Sequence, residues 1–147
     1  MPSRQLRRDA EVSALPEVQA FIEQESERAG LDPAAAGRLA LATEEIFVNI
    51  CRYAYPDAGP GWVELVAWTE DGDFHLEISD AGIPFDGPAR AEPDLSAPLE
   101  DRQIGGLGWM LVRKMVDALS YRRDAGRNQV RLTMHLPEDP DAQRDRV

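Results

Sequence analysis

Apolar residues along this chain change their period twice, and the changes mark out its elements. From Leu15 to Ala29 they recur at Leu15, Val18, Phe21, Ile22 and Ala29, the spacing of a helix with one buried face. Gly30 stands where such a helix stops, because a residue without Cβ readily takes the left-handed conformation of a C-terminal cap. Asp32-Pro33 opens a second helix, with Asp as N-cap and Pro in the first turn. On it Leu39, Thr43, Ile46, Phe47, Ile50 and Ala54 fall on one face, and the pattern runs to about Tyr53. The turn-rich Pro56-Asp57-Ala58-Gly59-Pro60-Gly61 ends it.

The period then becomes two. Trp62–Trp68 and Phe74–Ser79 alternate as strands, joined by a hairpin across Glu70-Asp71-Gly72-Asp73. Phe74, Leu76 and Ile78 share one face, and parity places Asp80 on it too; His75, Glu77 and Ser79 point the other way. A third helix is expected from Gly106 to about Leu119. Strands near Ser120–Arg123 and Asn128–Leu136 follow, about a turn at Asp124-Ala125-Gly126. In the last strand Asn128, Val130, Leu132 and Met134 share a face, with Thr133 on the other. Residues 1–10 form a candidate edge strand anchored by Leu6. Hairpin-linked strands among helices predict an α/β (α+β) two-layer sandwich, its mixed, mostly antiparallel sheet covered on one face by helices. A single domain over 1–147 is expected, with a core over about 10–136 and a polar tail at 137–147. Ala81–Gln103 is rich in Gly, Pro and acidic residues. It is long for a connection inside one domain, which makes it either a functional lid or a disordered segment.

Composition narrows the function classes. A chain of 147 residues with 43% hydrophobic and 29% charged residues fits one soluble globular core. A formal net charge of −11 argues against direct nucleic-acid binding, which needs Lys and Arg against phosphates. That acidity suits a basic protein partner, or serves only solubility. No apolar run approaches the roughly 20 residues of a membrane span. The opening MPSRQLRRDAEVSALP carries no apolar stretch of a secretory signal. A cytoplasmic protein with no membrane contact is expected. Cys51 is the single cysteine and His75 and His135 the only histidines, so no internal disulfide and no zinc site is expected. Cys51 reads as a small core residue.

Three constellations could carry chemistry, and each has a plainer alternative. Glu45 and Asn49 sit i, i+4 on the second helix, about 40° apart on the edge of its apolar face, whereas Glu44 lies about 140° from Asn49. A carboxylate there could take a proton from a hydroxyl, and the amide oxygen is a hard ligand suited to Mg²⁺. The alternative is an exposed helical pair joined by a local hydrogen bond. Asp80-Ala81-Gly82-Ile83-Pro84-Phe85-Asp86 follows a strand. A core-facing Asp80 needs a hydrogen-bond donor, such as an adenine amino group, and Gly82 would let a ring approach the backbone. The alternative is an Asp that caps a turn. Gly105-Gly106-Leu107-Gly108 opens the third helix, where converging N–H groups can hold an anion, unless the glycines form only a hinge. The GxxxxGK[ST] loop and the GxGxxG pattern after a strand are absent.

In order and context these signals reinforce one another. Glu45-x-x-x-Asn49, Asp80-x-Gly82 and Gly106-x-Gly108 resemble the N, G1 and G2 boxes of the GHKL ATPases, the superfamily of Hsp90, type II topoisomerases, MutL and histidine kinases. Glu45–Tyr55 (EIFVNICRYAY) and Gly105–Val112 (GGLGWMLV) look most like the bacterial anti-sigma-factor serine kinases. The resemblance implies the Bergerat ATP-binding fold, with ATP and Mg²⁺ as cofactors. It makes Glu45 the general base for a serine hydroxyl, Asn49 the Mg²⁺ ligand, and Asp80 with Gly82 the adenine reader. Gly105, Gly106 and Gly108 would line the phosphates, and Gly87–Gln103 would be the ATP lid. Partners implied are a sigma factor and an anti-sigma-factor antagonist, with homodimerisation. Three positions depart from the pattern. Tyr53 stands where His is frequent, and Pro84 replaces the last Gly of DxGxG, which stiffens the lid entry and removes an N–H. The Thr that many members carry late in the sheet has no counterpart of matching parity; Asn128 stands nearest that role. A serine/threonine kinase acting on an antagonist is the expected function. The alternative, favoured by Pro84, is a non-catalytic module, with or without nucleotide, that holds a sigma factor or another regulator.

Overall fold

The computed structural model describes residues 3–56, 61–84 and 104–137. Five strands are ordered β1-β2-β3-β5-β4: β1 (Arg4–Asp9), β2 (Trp62–Glu70), β3 (Asp73–Asp80), β4 (Ala118–Asp124) and β5 (Arg127–His135). Every pairing is antiparallel, so the sheet is purely antiparallel rather than mixed: each strand after β1 meets its neighbour through a hairpin or a return. Glu70 pairs with Asp73 and Asp124 with Arg127, leaving Asp71-Gly72 and Ala125-Gly126 as the turns. All four take positive φ, between 51° and 81°, the two-residue turn whose twist matches that of the strands.

Among the described residues three α-helices lie on one face: α1 (Leu15–Ala29), α2 (Pro33–Asn49) and α3 (Ile104–Met115). α1 stops at Gly30 with φ 80°, and the Asp32 side chain accepts from the N–H groups of Ala34 and Ala35. Alternation along the strands aims Val63, Leu65, Phe74, Leu76, Ile78, Val130 and Leu132 at the helices. There they pack with Val18 and Ile22 of α1, Leu39, Ile46 and Phe47 of α2, and Trp109 and Val112 of α3 in one buried cluster. Arg8 donates to Glu17 at 2.9 Å and ties edge strand β1 to α1. On the other face guanidinium groups cover the aromatic rings. Trp62 lies under Arg7 and Arg127, at 4.1 and 4.6 Å, and Trp68 under Arg131 at 5.0 Å.

Two boundaries differ from expectation. The second helix does reach Ala54, but from Ile50 it winds as a π-helix. The third helix ends at Met115 rather than near Leu119. The Asp117 N–H donates to Thr133, and the Asp117 carboxylate accepts from the His135 N–H. Strand β5 thereby captures the chain, and Leu119 joins β4 opposite Leu132. Cys51 is half-buried, and burial pushes its thiol up to about 11. It is therefore an unreactive packing residue at neutral pH.

Candidate nucleotide-binding site

Asp80 is the last residue of β3 and lies on the helix side of the sheet, fully buried at 0% exposure. It pairs with Val63 on β2 and Asn128 on β5. Its Oδ1 accepts from the Gly82 N–H at 2.8 Å and from Asn128 Nδ2 at 2.9 Å. Its Oδ2 is buried and has no hydrogen-bond partner among the described residues. A carboxylate oxygen in that position carries an unrelieved desolvation cost until a donor reaches it. Burial accordingly pushes the Asp80 carboxyl up from the usual carboxylate range. Asn128, the Gly82 N–H and the Arg123 guanidinium pull it back.

Asn128 is equally buried and sits beside Asp80, not outside the site. Its Nδ2 donates to the Ile83 carbonyl at 2.8 Å as well as to Asp80. Its Oδ1 accepts from the Tyr121 hydroxyl at 2.6 Å and from Arg123 Nη1 at 3.2 Å. Arg123 Nη1 also donates to the Gly82 carbonyl at 2.7 Å. The β4–β5 hairpin thus holds the turn from Asp80 to Ile83 at several points.

The helix layer reaches the same turn through the π segment. The Ala54 carbonyl accepts from the Ile83 N–H at 2.8 Å. A Cβ added to Gly82 would collide with that same carbonyl and come within 2.6 Å of the Ala54 side chain. Gly82 is therefore required by the end of the helix packed on it, where the sequence suggested room for a ring. One residue further, the Tyr55 hydroxyl donates to the Trp62 carbonyl at 2.6 Å and accepts from the Ala81 N–H at 2.8 Å. Burial, first among several influences, pushes that hydroxyl up. The π segment begins directly after Asn49. Wide turns of this kind recur at functional sites because they re-aim the flanking side chains.

Glu45 and Asn49 lie half-buried in the last turns of α2, beside fully buried Ile46 and Ile50. Thr43, on the buried face, returns its hydroxyl to the Leu39 carbonyl at 2.8 Å. Gly105, Gly106 and Gly108 fall within the opening turns of α3, which begins at Ile104, so the chain is already helical at these glycines. The expected lid, Gly87–Gln103, lies outside the described residues, as do Phe85 and Asp86 of the turn motif. Sequence reasoning gave no role to Tyr55, Tyr121 or Arg123. A signal was present for the last two: alternation on β4 puts two polar side chains at 121 and 123 on the face that β5 turns toward the helices.

Among proteins already described, the histidine kinase-like ATPase domain matches residues 9–134, and the chain belongs to that family. It is 34% identical over 97 residues to the serine/threonine-protein kinase BtrW of Bordetella bronchiseptica, covering 66% of this chain and 68% of that protein. It is 26% identical over 115 residues to the serine-protein kinase RsbW of Listeria monocytogenes, covering 76% and 73% of the two chains. Its fold matches the crystal structure of the RsbU and RsbW domains of Rv1364c from Mycobacterium tuberculosis, with a TM-score of 0.67 at 17% identity. That match covers 95% of this chain and 34% of the other. It also matches the histidine kinase domain of a blue-light activated kinase from Erythrobacter litoralis, with a TM-score of 0.55 at 21% identity, covering 84% and 60%. The two-layer α+β architecture is that of histidine kinase ATPase domains, and the named homologues are serine/threonine kinases of this type. No described helix is long and apolar enough to cross a membrane.

Proposed function

We propose that this chain is an ATP-dependent serine/threonine-protein kinase that phosphorylates an anti-sigma-factor antagonist and holds a sigma factor as its second partner, in a cytoplasmic partner-switching pair. One observation carries the nucleotide half of this reading: the buried Oδ2 of Asp80 at the end of β3, without a partner among the described residues. An exocyclic amino group satisfies it, and adenine carries one. The kinase half rests on Glu45 and Asn49, one turn apart at the end of α2, and on the two kinases to which the chain is related.

Asn49, together with phosphate oxygens and water, would hold Mg²⁺ in the coordination usual at nucleotide sites, and the ion would neutralise charge on the phosphates. Glu45 takes the proton of the attacking serine hydroxyl, the hydroxyl oxygen bonds to the γ-phosphorus, and the bond from that phosphorus to the β–γ bridging oxygen breaks. Backbone N–H groups around Gly105, Gly106 and Gly108 stabilise the charge on the phosphates.

Glu45→Gln keeps the shape of the side chain and removes its basicity. ATP binding measured by calorimetry should survive the change, while phosphate transfer to a serine of the antagonist should fall by at least about 100-fold. Undiminished transfer would remove Glu45 from the reaction. Binding of ATP without transfer in the unsubstituted protein would leave the non-catalytic module, the reading that Pro84 favours.

A further inference from the structure

We propose that Tyr121, Arg123 and Asn128 on the β4–β5 hairpin are positioning residues that hold Asp80 with one open acceptor, Oδ2, and so set a preference for a 6-aminopurine over a 6-oxopurine. The proposal rests on the nucleotide reading above and adds to it the residues that give the site its selectivity.

The argument begins with the amide of Asn128. A guanidinium only donates and a peptide carbonyl only accepts. Arg123 at 3.2 Å therefore fixes which end of the amide is Oδ1, and the Ile83 carbonyl at 2.8 Å fixes the other end as Nδ2. The Tyr121 hydroxyl at 2.6 Å adds a second donor to Oδ1. With the amide so held, Nδ2 must donate to Asp80 Oδ1, which already accepts from the Gly82 N–H. Two donors on Oδ1 favour the ionised carboxylate, so Oδ2 is left as an acceptor. Among the described residues the charged and titratable groups around the carboxylate are Arg123 and Tyr55, with Tyr121 one hydrogen bond further out.

An exocyclic amino group donates to such an oxygen. A 6-oxo group presents lone pairs to it and is repelled, and the buried pair of acceptors is left unsatisfied. Removing Tyr121 or Arg123 leaves the Ile83 carbonyl and one donor on the Asn128 amide, so the amide is held less firmly and donates less well to Asp80 Oδ1. The ionised carboxylate loses that support, and a proton it takes up goes to Oδ2, the oxygen that accepts from no described group. The hydroxyl at Oδ2 donates to a 6-oxo group, and the 6-oxopurine is no longer excluded.

The test compares ATP with inosine triphosphate, which differs by the 6-oxo group, in calorimetric titrations of the unsubstituted protein, Tyr121→Phe, Arg123→Gln and Arg123→Lys. A parallel ¹³C NMR titration of the Asp80 carboxyl is made without nucleotide. Tyr121→Phe and Arg123→Gln should each weaken ATP by about five- to tenfold, the scale of one lost hydrogen bond. They should leave inosine triphosphate no weaker, and Asp80 should titrate at higher pH. Arg123→Lys, which retains a charged donor where Gln has a neutral amide, should recover most of the ATP preference. Equal weakening of both nucleotides with an unmoved Asp80 titration would reduce the hairpin to a structural support and overturn the proposal. If the unsubstituted protein binds neither nucleotide, the nucleotide reading fails and the selectivity falls with it. The carboxyl titration then still decides whether the hairpin positions Asp80.

Discussion

Asp80 costs the fold more than it contributes until a ligand arrives. Its carboxyl, pushed up mainly by burial, keeps its proton to higher pH in the folded than in the unfolded chain. The folded state then binds more protons across that window, so this residue favours the fold below the window, and the benefit is lost as pH rises through the folded value. Asp80→Asn removes the buried charge and retains an acceptor for Gly82 and Asn128. It should hold or raise the melting temperature near neutral pH, flatten the upper acid limb of the stability profile, and weaken ATP at least about tenfold. Thermal melts across pH beside calorimetry check both halves. Lost stability together with unchanged affinity would place the ligand elsewhere. Gly82 behaves oppositely. A Cβ there strikes the Ala54 carbonyl, so Gly82→Ala should destabilise the fold by about 1–3 kcal/mol, the usual cost of overpacking, as measured by urea unfolding. Strand parity alone placed Asp80 and Asn128 on the core side, and both are fully buried there. The reason for Gly82 could not be read the same way. It lies in a contact with Ala54 across nearly thirty residues of chain, roughly the span of one supersecondary unit, and no local pattern encodes it.

The elements that local chemistry specifies are the ones legible in the sequence. Gly30 in the left-handed conformation and the Asp32 cap bound α1 and α2 where the residue types said they should. The hairpin at Asp71-Gly72 has the Asp-Gly pair that its turn type favours. The second hairpin is less well made, because Ala125 sits at φ 51° with a Cβ that disfavours it. Ala125→Asn should stabilise the chain by up to about 1 kcal/mol, read as a higher denaturant midpoint at unchanged slope. A lower midpoint would mean that the turn depends on something other than backbone strain. Elements set by tertiary capture were not legible. The end of α3 is decided by Asp117, whose N–H and carboxylate are both engaged by β5. Likewise, the π winding of Ile50–Ala54 has no residue signature and is apparent only from where Ala54 meets the Asp80–Ile83 turn.

At the scale of the molecule, the candidate site is where the two layers meet. Asp80 comes from the sheet, Ala54 and Tyr55 from the end of the second helix, and Tyr121, Arg123 and Asn128 from the terminal hairpin. Hydrogen bonds join all of them through one short turn. A ligand that satisfies Asp80 Oδ2 therefore acts on contacts that span the fold, and its binding free energy is added to global stability. With Mg-ATP at about 100 times its dissociation constant the gain is about 2.7 kcal/mol, which for a chain of this size raises the melting temperature by about 5–10 °C. Inosine triphosphate at the same concentration should give a clearly smaller rise. Glu45→Gln should keep the full ATP shift, since that carboxylate acts on the attacking hydroxyl and not on the purine. Asp80→Asn should cut the shift to about half or less while starting from an equal or higher melting temperature. This pattern separates the two carboxylates by role: one carries the chemistry and the other the recognition. If both substitutions cut the shift, Glu45 would be bound up with nucleotide affinity, and its assignment as the base would have to rest on transfer rates alone.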